Sequence, residues 1–118
     1  MKYQESIITK TKDRCYLCGS RERIEIHHIF SGSNRQKSTA FGCVVPLCYN
    51  CHQGTNGVHH NREKMDHLRK IAQLRCEEVY NWTEKDFLSV FHRNYLTDED
   101  REQLKAETIN LEDDDNGL

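Results

Sequence analysis

The stretch Cys48-Tyr49-Asn50-Cys51-His52 contains a C-x-x-C pair followed directly by a histidine, and Cys15-Tyr16-Leu17-Cys18 forms a second pair. Two such turns, separated by 29 residues, supply four thiolates, the ligand set of a tetrahedral structural zinc site. A disulfide framework would instead need an oxidising compartment, and the N-terminus shows no apolar export signal. We therefore predict a structural Zn²⁺ with four cysteine ligands: Cys15, Cys18, Cys48 and Cys51.

The composition is typical of a small domain that needs such a metal. The chain has 118 residues, of which 36% are hydrophobic and 31% are charged. A core built from so few apolar residues is thin, and small domains often compensate with a metal or a disulfide. No apolar run approaches the ~20 residues that cross a bilayer. We expect a cytoplasmic protein with no membrane segment.

The charge is unevenly divided along the chain. Residues 1–96 contain 15 Lys and Arg against 10 Asp and Glu, whereas residues 97–118 contain 2 against 9. We predict a single domain over 1–96 and a flexible acidic tail over 97–118. The net charge of +5 on the body is compatible with a polyanionic partner such as DNA, but many soluble domains have a similar charge.

Two short strands are predicted between the cysteine pairs. The first lies in Arg23–Phe30, where Ile24 and Ile26 alternate with polar residues, and it contains His27 and His28. Residues 31–38 have the composition of a loop. The second apolar run, residues 43–47, leads into the second cysteine pair. The order is therefore pair, strand with two histidines, loop, strand, pair with a histidine.

Two helices are predicted after this region. Apolar residues recur at spacings of three and four over about 61–80, and Thr83 is a suitable N-cap for a second helix that ends near His92. The second helix presents Phe87, Leu88 and Phe91. The fold class is thus a small α+β domain with a long and then a short C-terminal helix. The apolar positions of the first helix are Met65, Leu68, Ile71, Ala72, Cys76 and Val79.

Three of these segments resemble a known family. His27-His28-Ile29, the Val44–Cys48 strand and Cys48-Tyr49-Asn50-Cys51-His52 are similar to the zinc-ribbon subgroup of the HNH, or ββα-metal, endonucleases, over roughly residues 12–62. Residues 56–61 and 82–96 look like those of small HNH-like proteins from bacteriophages and prophages. The resemblance implies a ββα-metal core and a metal-dependent DNA endonuclease that acts in the bacterial host cell.

The resemblance also implies roles for individual residues. His28 would be the general base, and His27 and His52 would be ligands of one catalytic divalent ion, which could be Mg²⁺, Mn²⁺, Ni²⁺ or Zn²⁺. For the third ligand we favour His59, with Asn56 as the alternative. Adjacent strand residues point to opposite faces, so His27 and His28 can serve one site only if the strand ends or twists there.

The loop between the strands contains Arg35 and Lys37, which are expected to contact DNA phosphates or, alternatively, only solvent. The chain departs from the family at Cys43, which occupies the position of the family's bracing asparagine. Spacing does not show whether Asn34 or Asn50 substitutes. The alternative function is therefore a zinc-stabilised DNA- or protein-binding module without catalysis. A homodimer would help to cut both strands, and the sequence reveals no interface for one.

Overall fold

A two-stranded antiparallel sheet and the helices packed on it make up the part of the chain that the computed structural model describes, residues 5–104. This confirms the small α+β class. Residues 98–104 are also helical. The elements in chain order are β1 (Ile24–His28), a 3₁₀ turn (Gly32–Asn34), α1 (Arg35–Phe41), β2 (Val44–Cys48), α2 (Tyr49–His52), a second 3₁₀ turn (Val58–His60), α3 (Arg62–Val79) and α4 (Glu84–Phe91).

The register of the sheet places the two histidines at its end. Ile24 pairs with Cys48 at one end of the ladder, and His28 pairs with Val44 at the other. The N-terminal segment covers the outer edge of β2, where Tyr16 N donates to Pro46 O at 2.7 Å. This bond ties the first cysteine pair to the strand that ends in the second.

The segment predicted as a loop between the strands is largely helical. After a 3₁₀ turn it forms α1, which ends at Gly42 in the left-handed conformation, with φ of 75°. Ser38 is fully buried in this helix, and its hydroxyl donates to Phe30 O at 2.7 Å and accepts from Phe30 N at 2.9 Å. The polar composition concealed the helix because its one fully buried position is a serine with both bonds satisfied, and Phe41, which packs on the core, comes only at its end.

The two predicted C-terminal helices are present at nearly the predicted bounds. Asn61 caps α3 by accepting from Lys64 N, and Thr83 caps α4 in a reciprocal capping box with Asp86. Two of the apolar positions in these helices, Val79 and Leu88, are 46% and 43% exposed.

The core lies between the sheet and helices α3 and α4. Phe30 follows β1 directly and contacts the rings of Phe87, Phe91 and Tyr95 at centroid distances of 5.7, 4.5 and 5.3 Å. These contacts join the end of the histidine strand to α4, so the position of β1 depends on the aromatic core.

The first residues of the predicted acidic tail pack on the body. The Arg101 guanidinium donates to both carboxylate oxygens of Glu77, at 2.5 and 3.0 Å, and Leu104 packs with Leu74 and Leu96. The rest of the predicted tail, residues 105–118, lies outside the described residues. No helix in the described part of the chain is both long and apolar enough to span a bilayer.

Candidate metal centres

The four cysteines of the two C-x-x-C pairs, called the knuckle cysteines from here on, lie close together as their spacing predicted. Their sulfur atoms all lie within 4.8 Å of one another, with Cys18 Sγ and Cys48 Sγ 3.6 Å apart. The first pair is held by a tight turn in which Gly19 N donates to Cys15 O at 2.9 Å, and the second pair joins the end of β2 to α2. Two chain segments thus supply two sulfurs each.

The acidity of the thiols fits a bound cation. Burial raises the pKa of Cys15, but hydrogen bonds with backbone groups of Cys48, Cys18 and Leu17 outweigh it and lower the pKa to about 6. Burial and the neighbouring thiols raise the pKa of Cys51. One of the four cysteines therefore loses its proton easily, and its negative charge disfavours deprotonation of the neighbouring thiols. A divalent cation would stabilise the negative charge of all four thiolates, and four sulfurs fit a structural metal such as zinc.

Three histidines form a second cluster beside the first. His27 of β1, His52 of α2 and His59 of the second 3₁₀ turn each place a ring nitrogen within 4.8 Å of the other two. His52 Nε2 and His59 Nε2 are 3.0 Å apart, and the ring of His27 lies 5.1 and 5.3 Å from those two rings. The favoured third residue, His59, is therefore in the cluster.

Glycines allow the chain to return from α2 to His59. A Cβ atom at Gly54 or Gly57 would lie 2.6 or 2.8 Å from Asn50 O, which is closer than side chains tolerate. The loop can therefore fold tightly against the short helix. This close approach is what brings His59 back beside His52, seven residues earlier.

His27 is suited to binding a metal rather than a proton. Its side chain is only 2% exposed, and its Nε2 is buried with no hydrogen-bond partner among residues 5–104. Burial, followed by the charges of His52, His59, His28 and Arg69, lowers the pKa of His27 to about 3. A neutral imidazole with an unused buried nitrogen is costly unless a ligand satisfies it, so the cluster fits a divalent cation.

A carboxylate that the sequence analysis did not single out supports His52. Glu25 Oε1 accepts from His52 Nδ1 and from Gln53 Nε2, both at 2.8 Å. The hydrogen bond to His52, then that to Gln53, lowers the pKa of Glu25. A proton held on Nδ1 leaves Nε2 of His52 free to bind a metal. The available signal was spacing, because Glu25 precedes His27 by two residues and so shares its strand face.

His28 faces away from the cluster. It lines a groove of about 340 Å³ on the opposite side of the sheet, together with Ile26, Val44 and Pro46. Burial, then the charges of Arg35 and His52, hold the pKa of His28 below its ordinary value. As expected for adjacent strand residues, His27 and His28 therefore point to opposite faces of the sheet. His28 is the last residue of β1, and the charge of His52 still contributes to lowering its pKa.

The two predicted phosphate contacts differ in their surroundings. The guanidinium of Arg35 is exposed and has no partner within residues 5–104. Lys37 Nζ instead donates to Val90 O at 2.6 Å and lies 3.2 Å from His92 Nε2. Lys37 therefore stabilises the end of α4, a role that only the tertiary fold reveals.

The asparagine candidates lie outside the histidine cluster. Asn56, the alternative third ligand, is exposed, and its carbonyl oxygen accepts from Lys64 Nζ at 2.7 Å. Asn34 Nδ2 donates to Phe91 O at 3.1 Å, so it also stabilises the end of α4. Cys43, in the position of the family's asparagine, is buried with its sulfur 3.3 Å from Cys76 Sγ. Asn34 is thus engaged by α4, and Asn50, the other candidate for the bracing role, is exposed in α2.

Comparisons with known proteins add no assignment: no family model, no curated protein and no solved structure matches the chain. The functional proposal therefore rests on the sequence resemblance and on the geometry of the two clusters.

Metal removal tests the cysteine cluster. Structural zinc commonly contributes about 10 kcal/mol or more, comparable to the whole stability of a domain. We expect chelation at pH 7 to abolish most of the helical circular dichroism signal, and added Zn²⁺ to restore it. The pKa of Cys15 without metal is lowered to about 6, and bound metal lowers it further, so metal should be released only as the pH falls below that value. An unchanged signal in verified metal-free protein would contradict the assignment.

Substitution of Glu25 tests the histidine cluster. Glu25→Gln removes the carboxylate behind His52, and we expect Ni²⁺ to bind about 10- to 100-fold more weakly. The measurement is isothermal titration calorimetry on protein whose cysteine site is already filled with zinc. The exposed Glu22 provides the matched control, since Glu22→Gln should leave Ni²⁺ affinity unchanged. Equal affinities for all three proteins would show that the carboxylate does not support a metal site.

Proposed function

We propose that this protein is a metal-dependent endonuclease of the HNH type that hydrolyses phosphodiester bonds in DNA. The proposal combines the sequence resemblance with one structural observation. His27, His52 and His59 converge from separate elements, the Nε2 of His27 is buried without a partner among the described residues, and His28 adjoins His27 on the opposite face of the strand. On this proposal the hairpin and α2 form the ββα-metal core, and the protein acts in the cytoplasm of a bacterial host.

The metal would be held by His27, His52 and His59. When bound, it supplies Lewis-acid stabilisation of negative charge on the phosphate and the leaving oxygen. Three imidazole nitrogens suit Zn²⁺ and Ni²⁺ better than Mg²⁺, which prefers oxygen ligands. Glu25 accepts from Nδ1 of His52, which fixes the ring orientation and favours the tautomer that binds a metal through Nε2.

His28 supplies the second requirement of hydrolysis, a group that takes a proton from water. Because burial and the charges of Arg35 and His52 lower the pKa of His28, its imidazole favours the neutral form that can accept that proton. His28 ends β1, so a phosphate placed at this end of the hairpin can lie between the two faces. The groove beside His28 gives water and substrate access to the ring.

Two arginines support an anionic substrate. Arg35 begins α1, close enough to His28 to influence its pKa, and its guanidinium is exposed. Arg69 of α3 has a buried Nε without a partner among the described residues, and its positive charge contributes to lowering the pKa of His27. Arg69 Nη1 also lies 3.9 Å from Asp66 Oδ1, so Arg35 provides the less neutralised positive charge for phosphate binding near His28.

The second candidate is a binding module that has lost catalysis. It is favoured by Cys43, which stands where the family carries an asparagine and whose side chain is turned into the core. Such a module would bind DNA or protein, and would retain both metal clusters. Binding without cleavage in the presence of each divalent metal distinguishes it from the nuclease. Whether the protein acts as a homodimer is a separate matter for solution measurements.

Removal of the base tests the proposal. General-base catalysis is worth about 100- to 10,000-fold, so we expect His28→Ala to lose cleavage by that factor while retaining both metals. The measurement is cleavage of supercoiled plasmid, single-stranded and branched DNA with Mg²⁺, Mn²⁺, Ni²⁺ or Zn²⁺. His60→Ala is the matched control, because His60 is exposed and outside the cluster.

The other outcomes are equally informative. Undiminished cleavage by His28→Ala would overturn the assigned base. Absence of cleavage by folded, metal-loaded wild type on every substrate would overturn the nuclease and favour the binding module.

A further inference from the structure

Two cysteines outside the zinc cluster lie side by side in the core. Cys43 precedes β2 and Cys76 belongs to α3, and their sulfur atoms are 3.3 Å apart. Both side chains are fully buried. The proposed nuclease mechanism uses neither thiol, and neither metal site explains why these two reactive groups are in contact.

A cross-link between Cys43 and Cys76 would enclose a segment that contains residues of both ligand clusters. The segment between Cys43 and Cys76 contains β2, α2 and the second 3₁₀ turn, and therefore half of the cysteine cluster and two of the three clustered histidines. Ile29 N donates to Cys43 O at 3.0 Å, so Cys43 is also bonded to the strand that carries His27 and His28. A covalent bond here would close a loop that carries residues of both clusters and would fasten that loop to α3.

We propose that Cys43 and Cys76 are a redox-active dithiol that closes to a disulfide when a low-molecular-weight hydroperoxide oxidises it. One thiolate attacks the peroxide oxygen and becomes a sulfenic acid, releasing an alcohol. The sulfur of the second cysteine then attacks the sulfenic sulfur, the S–S bond forms, and water leaves. Overall, two thiols lose two electrons and two protons, and the peroxide is reduced to alcohol and water.

The reaction is slow, and selective for this pair. The adjacent Cys76 thiol and burial raise the pKa of Cys43, so the reactive thiolate is scarce and oxidation follows local opening. The four knuckle cysteines are the expected zinc ligands, and coordination would occupy the sulfur lone pairs that attack a peroxide. The inference is independent of nuclease activity, and its consequence is that the oxidised, zinc-loaded chain resists thermal unfolding better than the reduced chain.

Peptide mapping of the zinc-loaded full chain tests the proposal. Protein treated with tert-butyl hydroperoxide is denatured, alkylated and digested without reductant. We expect a peptide that joins Cys43 to Cys76 with the loss of two hydrogens, while zinc stays bound. A cross-link across 32 intervening residues should raise the thermal midpoint by on the order of 10 °C, reversibly on reduction.

Controls keep the result specific. Cys76→Ala conserves a small apolar side chain, and oxidant should leave its midpoint unchanged. The mapping on wild type needs no variant, so it decides the matter even if Cys76→Ala folds poorly. Alkylation of both Cys43 and Cys76 after oxidation, or cross-links from either to a knuckle cysteine with release of zinc, would overturn the proposal.

Discussion

Cys51 and His52 are neighbours in one short helix, yet they face two different ligand clusters, and the rest of the structure depends on this division. Sulfur atoms from Cys48 and Cys51 fix α2 against the first cysteine pair. His52 is thereby placed opposite His27, and the glycine-dependent return of the chain adds His59. A metal at the cysteines would thus orient His52, one of the three clustered histidines, which is how a domain with a thin core can hold a precise site.

The parts of this arrangement that the sequence predicts are those decided by local geometry. A C-x-x-C turn brings its two sulfurs together whatever surrounds it, so all four knuckle cysteines could be named from spacing. The caps at Asn61 and Thr83 are equally local, and α3 and α4 accordingly begin near where they were expected. His59 could be favoured over Asn56 only by resemblance, because two glycines interrupt any regular spacing from His52.

The parts that escaped prediction are contacts between distant segments. Lys37 carries the charge expected of a phosphate contact, yet it bonds to Val90 O, 53 residues away. Gln73 looks like a surface residue, but it is fully buried and accepts from Tyr95 N at 2.7 Å. Such bonds satisfy polar groups inside the core, and no periodic pattern reveals them. The same limit applies to Cys43 and Cys76, which only the packing of α3 on β2 brings together.

We infer that one short helix, α2, contributes ligands to two separate metal sites. Native mass spectrometry of the chain titrated with Zn²⁺ tests this inference, and we expect two ions per wild-type chain. The inference predicts one ion in His27→Ala, which removes the buried nitrogen of the histidine cluster and leaves the four cysteines intact. A single ion in the wild type, or two ions retained with unchanged affinity in His27→Ala, would contradict it.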